Sequence, residues 1–187
     1  MSEVMALESL VEQLLSFEGY WTKMRVPFKK PSGANSDLDV LGIKRGGRVV
    51  VAECKGWGSP EDYWNFDAPS RRKDLDELCR EARDNFKHFL RSQQAKRLEI
   101  DHIDEFYLVL PGRVGQEENR EALSARLKQK HRLPVSVFRL LCVHEVIRKL
   151  QDHVSKNMNE RRKRYADTSL EMIRWVLRSG GRISWAN

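Results

Sequence analysis

Asp39, Glu53 and Lys55, with Arg48 at one end, are the charged residues in two stretches, 38–43 and 48–55, otherwise rich in Val, Leu, Ile and Ala. Charge in such surroundings is costly unless it is paired or holds a cation. Glu53 and Lys55 are two residues apart, so on an extended strand their side chains leave the same face while Cys54 points to the other. Two carboxylates on adjacent strands offer hard oxygen ligands with room for water, a donor set suited to Mg²⁺ or Mn²⁺. A cation there lowers the pKa of a bound water, polarises a phosphate and stabilises the departing oxygen. An adjacent ammonium orients the nucleophile or balances developing charge. Hydrolysis of a phosphodiester is the chemistry these parts predict.

The elements that must position them follow from periodicity. Leu7, Leu10, Val11, Leu14 and Leu15 recur at helical spacing and predict a helix over 5–17, ended by Gly19. A β-rich segment at 20–28 precedes turn-forming residues at 31–36, and 38–43 with 48–55 read as a hairpin split by Lys44-Arg45-Gly46-Gly47. The hairpin loop decides the site. A two-residue turn at Gly46-Gly47 sets Asp39 beside Cys54, on the wrong face. A three-residue loop, Arg45-Gly46-Gly47, pairs Lys44 with Arg48 and brings Asp39 opposite Glu53. The functional reading therefore requires an odd-length loop or a bulge, for which Gly42 is a second location.

Further along, 71–91 reads as a long helix, and 106–110 as a strand buried on both faces and parallel to the third. A helix over 117–131, a strand over 135–143, a helix from 143 to about 154 and a last helix after 170 complete the order α-β-β-β-α-β-α-β-α-α. This is an α/β protein: a mixed sheet flanked by helices. One domain is expected over 1–155, with a basic helical extension over 156–187.

With these residues in order, the chain resembles the PD-(D/E)xK nuclease superfamily, which includes restriction endonucleases and Holliday junction resolvases. Its pattern is an acid at strand two, then acid-x-lysine on strand three. Here Asp39 in Ser36-Asp37-Leu38-Asp39-Val40-Leu41 and Glu53-Cys54-Lys55 in Val51-Ala52-Glu53-Cys54-Lys55-Gly56 correspond. No proline precedes Asp39, and Asp37 is the alternative acid. The family's α-β-β-β-α-β core corresponds to residues 5–112. The resemblance implies a restriction endonuclease-like fold and a Mg²⁺-dependent DNA endonuclease in which Mn²⁺ substitutes. It assigns Asp39 and Glu53 as metal ligands, Lys55 as catalytic lysine and a first-helix glutamate, Glu8 with Glu12 as alternate, as accessory ligand or water-orienting acid. Arg71 and Lys73, at the start of the next helix, fall where the family places groups near the scissile phosphate.

Composition is compatible with this reading. The 187 residues carry a net charge of +7, with 40% hydrophobic and 33% charged residues, as expected of a globular chain. From Arg139 to the end, eleven Lys or Arg stand against five Asp or Glu, a surplus of six. A polyanionic partner is favoured, DNA first, with Arg161, Arg162, Lys163 and Arg164 as phosphate contacts or a solvated helix face. Two-fold pairing into a homodimer would suit a symmetrical duplex or junction. Cys54, Cys79 and Cys142 are too scattered for a disulfide framework or a Cys-rich metal site, so reduced, buried thiols are expected. Trp57, Tyr63, Trp64 and Phe66 read as packing anchors more than as base-stacking groups. His144-Glu145 fails as a zinc-protease motif, because Arg148 stands at the second histidine position. No apolar run approaches the ~20 residues that span a bilayer, and no secretory signal is seen, so a soluble cytoplasmic protein with no membrane partner is expected. The alternative is a catalytically silent nucleic-acid-binding module or a subunit of a larger assembly.

Overall fold

The computed structural model describes residues 3–55, 69–111 and 117–157. Among them the elements run α1 (Glu3–Phe17), β1 (Tyr20–Lys29), β2 (Asn35–Lys44), β3 (Val49–Cys54), α2 (Pro69–Leu90), α3 (Gln93–Arg97), β4 (Glu105–Leu110), α4 (Glu117–His131), β5 (Val137–Cys142) and α5 (Val143–Asn157). Two compact units divide at residue 143. The second, 144–187, is described only through its part of α5, where Val146, Leu150 and Val154 are buried at four-residue spacing.

The first unit is a five-stranded mixed sheet in the order β1-β2-β3-β4-β5. β1, β2 and β3 form an antiparallel meander, and β4 and β5 add in parallel. The topology follows from connection length: β2 and β3 are joined by a tight loop, while β3–β4 and β4–β5 are joined through helices, as parallel pairing requires. All six residues of β3 and of β4 are buried, which accounts for their nearly unbroken apolar sequence.

Alternation along β3 divides the core in two. Val49 and Val51 belong to a large cluster with Leu75, Phe86 and Phe89 of α2 and with Phe106, Leu108 and Phe138 of β4 and β5. Phe86 meets the Phe106 ring edge-on at 4.9 Å between centroids, and Phe106 stacks on Phe138 at 5.0 Å. Val50 and Ala52 point to the opposite face. That face is covered by α1, which packs on β1, β2 and β3 and buries Leu7, Val11, Leu14 and Leu15.

Most expected elements appear within a few residues of their expected bounds, with two differences. β2 starts at Asn35 and not at 38, because Lys30 N–H bonds Ala34 O at 2.9 Å and Gly33 (φ 83°) closes the turn early. The short α3 was not anticipated; Ser92 caps it by accepting the Ala95 N–H at 3.1 Å. The expected last helix, the basic run 161–164 and the aromatics between 57 and 66 lie outside the described residues. The cysteines are free and buried, as expected, and no helix among the described residues is long and apolar enough to cross a membrane.

At the start of β4 a carboxylate is buried inside the sheet. Glu105, 2% exposed, accepts Tyr20 Oη at 3.1 Å and Arg48 Nε at 2.6 Å on one oxygen, and Tyr107 Oη at 2.9 Å on the other. Full pairing is what makes a buried charge tolerable. Burial and Glu105 together push the Tyr20 hydroxyl up to about 12, and the cluster ties β1 and β4 to Arg48, the residue before β3.

Gly42 sits where the meander is tightest: a Cβ there would lie 2.7 Å from Val50 Cγ1 and 3.2 Å from Tyr20 Cβ. Both neighbours are buried, and the branched Val50 has little rotamer freedom. Gly42→Ala is expected to lower unfolding stability by about 1–3 kcal/mol through overpacking. Urea melts of the two proteins check this, and equal midpoints would show that the sheet yields at this point.

Candidate functional site

The β2–β3 loop has three residues. Lys44 N–H bonds Arg48 O at 2.8 Å and Gly47 N–H bonds Lys44 O at 3.0 Å, while Gly46 (φ 100°) and Gly47 (φ 85°) take up the positive φ that other residues avoid. The resulting register pairs Ile43 with Val49, Leu41 with Val51 and Val40 with Ala52. The next rung would bring Asp39 opposite Glu53, as the odd-length loop predicts.

That rung is not made by backbone. The β2–β3 ladder stops at Val40–Ala52, and the Cys54 N–H is bonded by Asp39 Oδ2 at 2.6 Å. On its other side, the β1–β2 pairing omits the Arg25–Asp39 pair, because Arg25 adopts φ 51°, an unusual conformation for a residue with a Cβ. Asp39 thus stands at an interruption of both ladders. β3 continues alongside β4, where Lys55 N–H reaches Val109 O at 3.0 Å.

Four of the expected residues converge here. Glu53 is 5% exposed; Lys55 Nζ stands 3.5 Å from its Oε2, while its Oε1 is buried without a hydrogen-bond partner among the described residues. Burial, then the neighbouring Asp39 charge, raise the Glu53 carboxyl to about 7. Burial also raises Asp39, against the opposing Cys54 N–H bond and Lys55 charge. Glu8 approaches from α1 and adds its negative charge to Asp39's surroundings. Asp37, the alternative acid, is exposed. Glu12, the alternate on α1, accepts the Thr22 hydroxyl at 3.3 Å instead.

The residue that sequence reasoning missed is Arg25. Its guanidinium donates to both oxygens of the buried Glu8, at 2.9 and 3.2 Å, and also interacts with Asp37 and Asp39. Nothing in Lys23-Met24-Arg25-Val26-Pro27 marks it, since its role comes from a backbone bend inside an apparently regular strand. Arg71 and Lys73 lie on α2, but their side chains lie outside the described residues, as do those of Arg161, Arg162, Lys163 and Arg164.

The donor set can be weighed for a cation. Among the described residues, no three His, Cys, Asp or Glu side chains stand close enough together to hold a metal ion, and Glu8 is taken by Arg25. Asp39 and Glu53 nevertheless supply hard oxygens at one point, and Glu53 Oε1 is a buried acceptor with no donor. Such an atom is costly unless something positive meets it. The residues present therefore fit a hard divalent ion held through few protein ligands.

The class defined so far is an α/β protein with a five-stranded mixed sheet flanked by helices and a carboxylate–lysine cluster at a break in the sheet. None of the protein-family models, curated proteins or solved structures compared with the chain matches it.

A pH dependence follows from Glu53. Its carboxyl is raised in the folded protein, from 4.5 to about 7, so the folded state holds the proton more tightly than the unfolded chain does. The resulting stabilisation is complete below about 4.5 and is lost as pH rises through about 7. In metal-free buffer, Glu53→Gln should therefore be more stable than wild type at pH 8, by up to about 3 kcal/mol at 1.36 kcal/mol per unit. The difference should shrink towards pH 4.5. Urea melts across this range measure it, and a pH-independent difference would contradict the assigned environment.

Proposed function

We propose that the chain is a divalent-metal-dependent nuclease with a restriction endonuclease-like PD-(D/E)xK core, acting as a DNA endonuclease. The observation that carries this reading is the buried Glu53, with an unpartnered oxygen, set beside Asp39 and Lys55 where β2 leaves β3. Structural ion pairs in a sheet are normally completed, as at Glu105; this one is left short of positive charge.

In this reading Asp39 and Glu53 hold Mg²⁺, or Mn²⁺ in its place, with Glu8 as accessory ligand or water-orienting acid. The cation, when bound, supplies Lewis acidity and a water of lowered pKa. Lys55 stands beside Glu53, where it can position the attacking oxygen by hydrogen bonding and offset charge building on the phosphate. Asp39 is held by the Cys54 N–H, which directs one oxygen to the backbone and leaves the other for the site. Arg71, Lys73 and the run Arg161, Arg162, Lys163 and Arg164 are assigned to the DNA phosphates, where each contact adds salt-dependent affinity.

Cleavage of plasmid, linear, branched and single-stranded DNA with Mg²⁺, Mn²⁺ or EDTA tests the proposal. Cutting should require the metal and should fall by at least about 100-fold in Glu53→Ala and Lys55→Ala, as when one preorganised electrostatic group is removed. Glu8→Gln should cost roughly 10-fold or more, in the range of residues that support metal ligands. The second reading, a catalytically silent nucleic-acid-binding module, is favoured by the Arg25–Glu8 pair, which occupies one acid. It would be selected by salt-sensitive DNA binding with no metal-dependent cutting.

A further inference from the structure

Arg25 combines three features that a structural ion pair alone does not require. Its backbone is held at φ 51°. It takes both oxygens of a carboxylate that is 3% exposed. Its own side chain remains 49% exposed, so the cation can leave towards solvent while the acid cannot. The bend at Arg25 removes one rung from the β1–β2 ladder at Asp39, and the guanidinium feels Asp37 and Asp39 as well as Glu8.

The charge inventory gives these features a direction. Glu8, Asp37, Asp39 and Glu53 are acidic; among the described residues, Arg25 and Lys55 are the cations set against them. Among the described residues, with every acid ionised, four negative charges meet two positive ones, a deficit the size of one divalent cation. Glu53 Oε1, buried and unpartnered, lies within this group. The guanidinium already occupies both oxygens of Glu8, which the nuclease reading offers as an accessory ligand. Arg25 and a divalent ion therefore compete for the same carboxylate.

We propose that Arg25 is a positioning residue that acts as a tethered counter-ion. It holds Glu8 in place and neutralised while no divalent cation is bound, and it must release the carboxylate for Glu8 to join the metal site. This rests on the nuclease reading of the acids, but it assigns Arg25 a role opposite to that of a ligand support. Removing a support weakens metal binding, whereas removing a competitor strengthens it. The arrangement lowers the affinity of the site for divalent ions and avoids an uncompensated buried acid when the site is empty.

The test is Mn²⁺ binding to the full chain without nucleic acid, followed by titration calorimetry and by the electron paramagnetic resonance signal of free Mn²⁺. Arg25→Gly suits it, because glycine accepts a positive φ readily and the variant keeps the bend without the guanidinium. Arg25→Lys retains a charge on a flexible stem, and circular dichroism and thermal melts establish that both variants fold. Arg25→Gly is expected to bind Mn²⁺ at least about fivefold more tightly than wild type, given the modest strength of half-exposed ion pairs. Arg25→Lys should lie between the two. Without metal, Arg25→Gly should melt lower than with saturating Mn²⁺ by a wider margin than wild type does, since ligand stabilisation grows with affinity. Equal or weaker Mn²⁺ binding by a folded Arg25→Gly overturns the counter-ion role and leaves the nuclease reading standing. Absence of Mn²⁺ binding in wild type and variants alike overturns both.

Discussion

A carboxylate that accepts a strand's N–H in place of a backbone carbonyl is the constraint on which this site depends. The Asp39–Cys54 bond closes β3 at the point where β2 departs, so the Cys54 N–H is not left unsatisfied inside the sheet. The β2–β3 ladder ends at Val40–Ala52, and beyond it Asp39 and Glu53 take the place of ladder atoms. Glu53 and Lys55 stay on β3, held against β4 by parallel pairing. Without that substitution the ladder would continue through residue 39.

The two ends of the sheet show what this costs. At one end Glu105 is buried and fully paired, by two tyrosine hydroxyls and Arg48, and serves to bind strands together. At the other, Glu53 is buried almost as deeply, yet among the described residues one oxygen has no donor and the other has Lys55 Nζ at 3.5 Å. The same residue type in the same sheet is thus satisfied where it is structural and left short where the proposed chemistry lies. Burial raises both Asp39 and Glu53 because neither is given enough positive charge to offset desolvation.

Rigidity around the break comes from elements remote from it. Phe86, Phe106 and Phe138 interlock below the sheet, and α2 is joined to α4 where Asp76 accepts Lys130 Nζ at 2.6 Å and His131 Nε2 at 2.7 Å. α1 closes the opposite face and carries Glu8 to the break. The acids therefore sit on a packed scaffold, which holds like charges near one another against their repulsion.

Much of this was legible in sequence. Apolar periodicity located α1 and α2, though not the short α3, and uninterrupted β-rich runs located β3 and β4, because burial on both faces leaves a direct imprint on residue type. Asp39, Glu53 and Lys55 stood out as charges inside such runs, and paired glycines narrowed the hairpin to two registers, one of which places the acids together. The choice between those registers was made in three dimensions, by φ at Gly46 and Gly47 and by packing of both faces of the sheet. Asp39 was already preferred over Asp37 in the sequence, with Asp37 as the alternative; the structure adds that Asp39 accepts the Cys54 N–H while Asp37 is exposed. Arg25 was invisible, since an arginine in a β-rich segment looks solvated until a backbone bend turns it onto a buried acid. Residue type determined which groups carry charge into the core. Only the tertiary structure decided which of those charges meet, because pairing depends on register, strand divergence and helix placement, and none of these is a local property of the chain.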